Sequence, residues 1–284
     1  MRKHTLLIII LALIAPVGSF LHLQTIAMKS TSASIHEFCH KQETACNTKS
    51  ISLNGSSQYL TAADNASLSF TGDHTFEVWI KLNTTNFPDQ HVGILGKSII
   101  GSTSDYRLYI YNYGGLKRVY CFYWDDSNDL TDGYIEMPVS FSTTNWMHIA
   151  VAVDVSASTM DFYIDDTKVT GTMFISNAKS VRNSNGLLSI GLSKLFTTNA
   201  AYFPGLIDEV RIWNCIRTEA EISANYKKEL VGNEAGLVGY WKFNDNFNDS
   251  SPNGNTLTSG GAATLSTNVP FSCKTNSIFF GTNF

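Results

Sequence analysis

The sequence predicts an all-β fold, an antiparallel sandwich or barrel with one short helix. Three observations carry that expectation. Apolar residues recur with period two from Ser50 to Trp213, turn signals fall every ten or so residues, and no long amphipathic helix separates the strands. Parallel sheets need such crossover helices, whereas antiparallel sheets are joined by tight turns.

The elements follow in chain order. Arg2, Lys3 and His4 precede an apolar run from Leu6 to Ala15 that Pro16 and Gly18 interrupt. A basic head, a short apolar stretch and small residues make a secretory signal, with cleavage expected after Ser19 or Ala27. The run is half of the roughly twenty residues that a spanning helix needs. No later stretch is long and apolar enough to span a bilayer as a helix. From Ser50, Ile51 and Leu53 alternate with polar residues up to the turn Asn54-Gly55. Phe76, Val78 and Ile80 alternate with Glu77, Trp79 and Lys81. Tyr106 to Tyr113 and Val119 to Trp124 flank Gly114-Gly115, which reads as a hairpin. Strands are also expected at Trp146 to Val155, Asp161 to Ile164 before the turn Asp165-Asp166, Leu187 to Gly191, and Leu206 to Trp213. Thr218 caps the one helix, and Glu221 three residues on completes a capping box. Ile222 and Tyr226, four apart, share the face that meets the sandwich.

Composition narrows the function classes. The 284 residues are 43% hydrophobic but only 15% charged, against about 25% in an average domain, which suits an exported β-protein. The formal net charge of −4 argues against nucleic acid as a partner, since no basic surface is available to displace counterions. Export makes Cys39, Cys46, Cys121, Cys215 and Cys273 candidates for disulfides, with an odd count and no zinc-ligand spacing.

Several segments resemble the laminin-G-like jelly roll of the concanavalin A-like lectin/glucanase superfamily. They are SISLNGSSQYLTAADNASLSF, TFEVWIKL, NWMHIAVAVD, MDFYIDDTKV and, most specifically, FPGLIDEVRIWN followed by RTEAEISANY. Together they span about residues 48 to 230 in order. The resemblance implies a jelly-roll sandwich over 48–271, with GLVGYWKFNDNFNDSSPNGNTL opening a closing segment at 236–271. A signal at 1–27, a linker at 28–47 and a tail at 272–284 complete the chain. Cys273-Lys-Thr-Asn-Ser-Ile echoes Cys46-Asn-Thr-Lys-Ser-Ile, so the tail reads either as coincidence or as the start of a second repeat.

With the signal, the resemblance implies a secreted, non-catalytic binding module for carbohydrate or cell-surface adhesion, its partner an extracellular glycan or protein, with calcium assistance as an expectation. Alternatives are a structural repeat without a small ligand and a degenerate glycosidase. Glucanases of the superfamily carry two carboxylates on alternating positions of one strand. No Glu-x-Asp-x-x-Glu occurs here, and Glu77 has no acidic partner nearby in sequence. Candidate ligand-binding residues are Trp124, Asp125, Asp126, Asn128 and Asp129, an aromatic followed by sugar- or calcium-binding oxygens; the alternative is a solvated hairpin tip. Asp105 sits where a pentraxin ligand would. Asp208 is in phase with Val210 and Ile212, so it is expected on the apolar face, either bonded to backbone amides or ligating calcium. Trp79 and Ala150 stand at the positions of the pentraxin disulfide, with Trp79 packing as core or facing a groove.

Overall fold

The computed structural model describes residues 46–85, 91–99, 104–114, 116–124, 133–136, 144–170, 172–175, 180–193 and 201–272. The expected signal, Cys39, the loop residues Asp125, Asp126, Asn128 and Asp129, and the tail from Cys273 lie outside them.

Eighteen strands, one α-helix and a single 3-10 turn at Ala66–Leu68 make up the described fold. In chain order the first nine are β1 (Ser50–Asn54), β2 (Tyr59–Ala62), β3 (His74–Leu82), β4 (His91–Ser98), β5 (Ser104–Tyr113), β6 (Leu116–Tyr123), β7 (Gly133–Glu136), β8 (Met147–Asp154) and β9 (Thr159–Ile164). Then come β10 (Thr167–Val169), β11 (Thr172–Ile175), β12 (Leu187–Ile190), β13 (Leu192–Ser193), β14 (Ala201–Tyr202) and β15 (Pro204–Trp213). Helix α1 (Glu219–Asn225) precedes β16 (Leu237–Trp241), β17 (Thr258–Gly260) and β18 (Thr264–Ser266).

All pairings are antiparallel. One sheet runs β10-β9-β8-β3-β15-β1-β18, with β16 also on β15; the other runs β11-β7-β6-β5-β4-β12-β2-β17. A two-stranded ribbon, β13-β14, forms a third, separately paired sheet. The C-terminal strands thus join both sheets, β17 beside β2 and β18 beside β1. Phe76, Val78 and Ile80 of the first sheet meet Leu108, Ile110, Val119 and Cys121 of the second in one core. Each such apolar side chain contributes about 1.5–3 kcal/mol on burial.

The helix forms as its capping residues dictate. Thr218 Oγ1 accepts from the Glu221 backbone N–H at 3.3 Å, and the Thr218 N–H donates to Glu221 Oε2 at 2.9 Å. Ile222 packs on Ala150, Ala152 and Tyr163 of the first sheet's outer face. Trp79, also on that face, is buried as core: its ring lies parallel to Tyr226, 5.9 Å between centroids, and its Nε1–H donates to the Tyr226 carbonyl.

One expectation about strand phase is corrected. Asp208 does not share the apolar face with Val210 and Ile212. Ile207 lies in the core opposite Ile51 and Ile80, and Asp208 pairs with Trp79 on the outer face. The register shifts between Asp208 and Arg211, and Glu209 adopts φ +50°. An extra residue in a strand flips the face of everything beyond it. The bulge falls where β15 changes partner, from β1 at Ile207 to β16 at Val210.

Candidate functional site

The outer face of the second sheet carries the candidate site. Alternation sends Leu60, Ala62, Leu188 and Ile190 inward and leaves Tyr59, Thr61, Leu187 and Ser189 facing out. The ribbon β13-β14 lies across β4, and contact is close because residue 93 is glycine: a Cβ there would stand 2.2 Å from the Leu192 carbonyl carbon. Ser189 Oγ donates to the carbonyls of Gly96 at 3.3 Å and Leu192 at 3.2 Å, tying ribbon to sheet. Between them opens a groove of about 130 Å³, floored by Thr61, Ser98 and Ser189 and walled by Tyr59, Leu187, Leu192 and Tyr202. It is too small to engulf a drug-sized ligand, whose pockets span roughly 300–1,000 Å³. It suits the face of a single ring.

The groove is chemically amphipathic. The Tyr59 and Tyr202 rings stand 6.0 Å apart, inclined by 39°. Leu187 is 40% exposed at its edge. Among the described residues, the hydroxyls of Tyr59, Tyr202, Thr61 and Ser98 have no hydrogen-bond partner. No lining residue is charged.

Beside the groove an aromatic stripe crosses β4, β5 and β6. Tyr109 stacks on Tyr120 at 5.4 Å, Tyr111 meets His91 at 4.3 Å, and Phe122 meets Trp124 at 4.0 Å. The Arg107 guanidinium lies over Trp124 at 4.5 Å and over Phe122 at 5.5 Å. Trp124, expected as a ligand platform, is therefore largely covered, with 8% of its surface exposed. Burial and the Arg107 charge push His91 down to about 4, so it is neutral near pH 7.

The acidic candidates have protein partners. Asp105 Oδ2 lies 2.7 Å from Lys97 Nζ and accepts from the Ser184 N–H at 3.1 Å. Asp208 accepts from Asn47 Nδ2 at 2.9 Å and from the Glu209 N–H at 2.8 Å, and burial raises its carboxyl well above the usual range. Asp249, in the oxygen-rich turn, accepts from the N–H groups of Tyr240, Ser251 and Asn255 at 2.8–2.9 Å, so turn chemistry accounts for it. Among the described residues no three His, Cys, Asp or Glu side chains gather as a metal-binding group. Cys121 and Cys215 are free thiols, which corrects their candidacy for disulfides. Cys121 lies in the core, and burial pushes its thiol up to about 12.

Tertiary structure also gives Glu77 the acidic neighbour that the sequence hides, with a cation between them. Glu77 accepts from Trp213 Nε1 at 2.7 Å and lies 3.4 Å from His148 Nε2 and 3.5 Å from Arg211 Nη1. Arg211 Nη2 meets Glu209 at 2.7 Å, and the Tyr240 hydroxyl donates to Glu209 at 2.6 Å. Burial alone would raise the Glu77 carboxyl, but His148 and Arg211 outweigh it and hold it below the usual range. All these groups are buried beneath the helix and the segment after it. They brace the fold and offer no substrate access.

The family model for the concanavalin A-like lectin/glucanases superfamily, laminin-G type, matches residues 54–223. A comparison with curated proteins finds no match in sequence. Among solved structures, a candidate carbohydrate-binding protein from Bacteroides ovatus is similar at TM-score 0.57 and 17% identity over 78% of this chain. The chain spans 60% of that protein's length. A heptameric SAP-like pentraxin from Limulus polyphemus matches at TM-score 0.45 and 13% identity, over 62% of this chain and 81% of the pentraxin. The CBM40 of the Ruminococcus gnavus IT-sialidase, bound to α2,3 sialyllactose, matches at TM-score 0.45 and 14% identity, over 63% of this chain and 97% of the module. With more than half of its length matched by the family model and both antiparallel sheets in place, the chain belongs to the concanavalin A-like lectin/glucanases superfamily.

Proposed function

We propose that this chain is a secreted, non-catalytic carbohydrate-binding module that holds a neutral sugar in the groove between β2, β12 and the β13-β14 ribbon. The groove lining carries the reading. Two tyrosine rings and exposed apolar edges match the C–H face of a pyranose, and the unpartnered hydroxyls beside them match its hydroxyl groups. An uncharged lining favours neutral over acidic sugars, because an anionic group there would lose water without gaining a cation. Secretion follows from the N-terminal signal pattern, and any disulfide then draws on Cys39, Cys46 and Cys273.

Glycan-array binding of the purified chain tests this, with Tyr59→Ala and Tyr202→Ala alongside. Each truncation is expected to weaken binding about tenfold, as loss of one stacking contact of about 1.4 kcal/mol implies. Binding that survives both substitutions moves the site elsewhere. Binding to no glycan points to a structural repeat, and hydrolysis of a polysaccharide panel revives the glycosidase.

A further inference from the structure

At the rim beside the groove, a lysine occupies the centre of an oxygen cage. Lys97 faces the sandwich interior, pairing with the core residues Leu188 and Tyr106, and its side chain is fully buried. Its ammonium lies 2.7 Å from Asp105 Oδ2 and 3.1 Å from Asp64 Oδ1, and it donates to the Ser184 carbonyl. Four segments meet on this one charge: the turn after β2, β4, the start of β5 and the approach to β12. The Asp105 carbonyl accepts from the Trp124 N–H at 3.0 Å, and the Trp124 carbonyl from the Arg182 N–H at 2.7 Å, which extends the tie to the loop base after β6. Among the described residues Asp105 Oδ1 is buried without a hydrogen-bond partner.

The family resemblance implies calcium at Asp105, and the residues present do not fit it. Calcium takes about six to eight oxygens at roughly 2.3–2.6 Å. Here two carboxylates and a carbonyl converge, as a cation site requires, but on the Lys97 ammonium. A divalent ion in the same cage would meet that positive charge at contact distance. We infer that Lys97 is a built-in cation that replaces a divalent metal ion at this rim, so that the groove is held in shape without calcium. The link to the groove is short. Ser98, next to Lys97, faces the opposite side of β4 and floors the groove, and Leu187 follows Ser184 by three residues.

Thermal melts of the full chain in millimolar calcium and in chelator test this without any glycan. Wild type is expected to melt at the same temperature in both. Lys97→Ala removes the ammonium and its stem; it is expected to lower Tm by about 10 °C, as for breaking a buried ion pair, and to recover part of the loss in calcium or ethylammonium. Lys97→Met refills the stem, falls similarly and recovers nothing. A wild-type Tm that rises with calcium, or a folded Lys97→Ala protein indifferent to both cations, overturns the inference. If Lys97→Ala does not accumulate folded, the wild-type melts decide alone. The melts do not depend on the sugar reading, so failure of the groove and failure of the cage are distinguishable.

Discussion

Acidification should destabilise this protein through one buried imidazole. His74 is fully buried at the start of β3. Its ring stacks on Phe70 at 4.5 Å and meets the Phe76 edge at 5.0 Å, with Tyr106 and Tyr123 each at 6.4 Å. Nδ1 donates to the Gly72 carbonyl at 2.9 Å, while Nε2 has no partner among the described residues. Desolvation therefore lowers its pKa from 6.5 to about 4. In the unfolded chain the same imidazole takes up a proton near 6.5, so between those values the unfolded state binds more protons. Stability is then complete above about pH 6.5 and is lost as pH falls toward 4. At 1.36 kcal/mol per pH unit the loss is about 2 kcal/mol near pH 5 and about 3 kcal/mol near pH 4. Urea unfolding of wild type and His74→Phe across this range measures it. The phenylalanine keeps the aromatic packing and removes the titration, so its stability should fall less by those amounts. Parallel pH profiles for the two proteins would refute the reasoning.

Three further outcomes are expected. Asp208→Asn should cost about 1–2 kcal/mol in urea unfolding, because both carboxylate oxygens accept from N–H donors and the new amide NH2 faces one of them; unchanged or raised stability would show that neither acceptor is needed. Arg211→Met should cost about 3–5 kcal/mol in urea unfolding, since Glu77 and Glu209 lose the cation between them. Gly93→Ala should cost about 1–3 kcal/mol and abolish glycan binding, because the added methyl displaces Leu192 and the groove wall with it; full binding by a folded Gly93→Ala protein would detach the ribbon from the site.

Much of the fold was legible because its signals are local. The two-fold alternation in TFEVWIKL, the pairing of the strands that flank Gly114-Gly115 and the Thr218–Glu221 capping box each depend on residues close in sequence, and each forms as read. The site was less legible. Trp124 and its acidic neighbours stood out as a contiguous run, whereas Tyr59, Ser98, Leu187 and Tyr202 are far apart in sequence. The signal that marks them is negative, a tyrosine or leucine on the polar phase of a strand, and it becomes meaningful only once the sheet order is known.

The sequence by itself determined the class of fold and the faces of most strands, because side-chain alternation and turn chemistry are properties of neighbouring residues. Tertiary structure alone decided three things. It moved Asp208 to the outer face, because β15 changes partner within its length and bulges there. It gave Glu77 and Glu209 a shared arginine. And it set the Lys97 ammonium between Asp64 and Asp105, a meeting of charges that depends on the register of four segments and that no local pattern encodes.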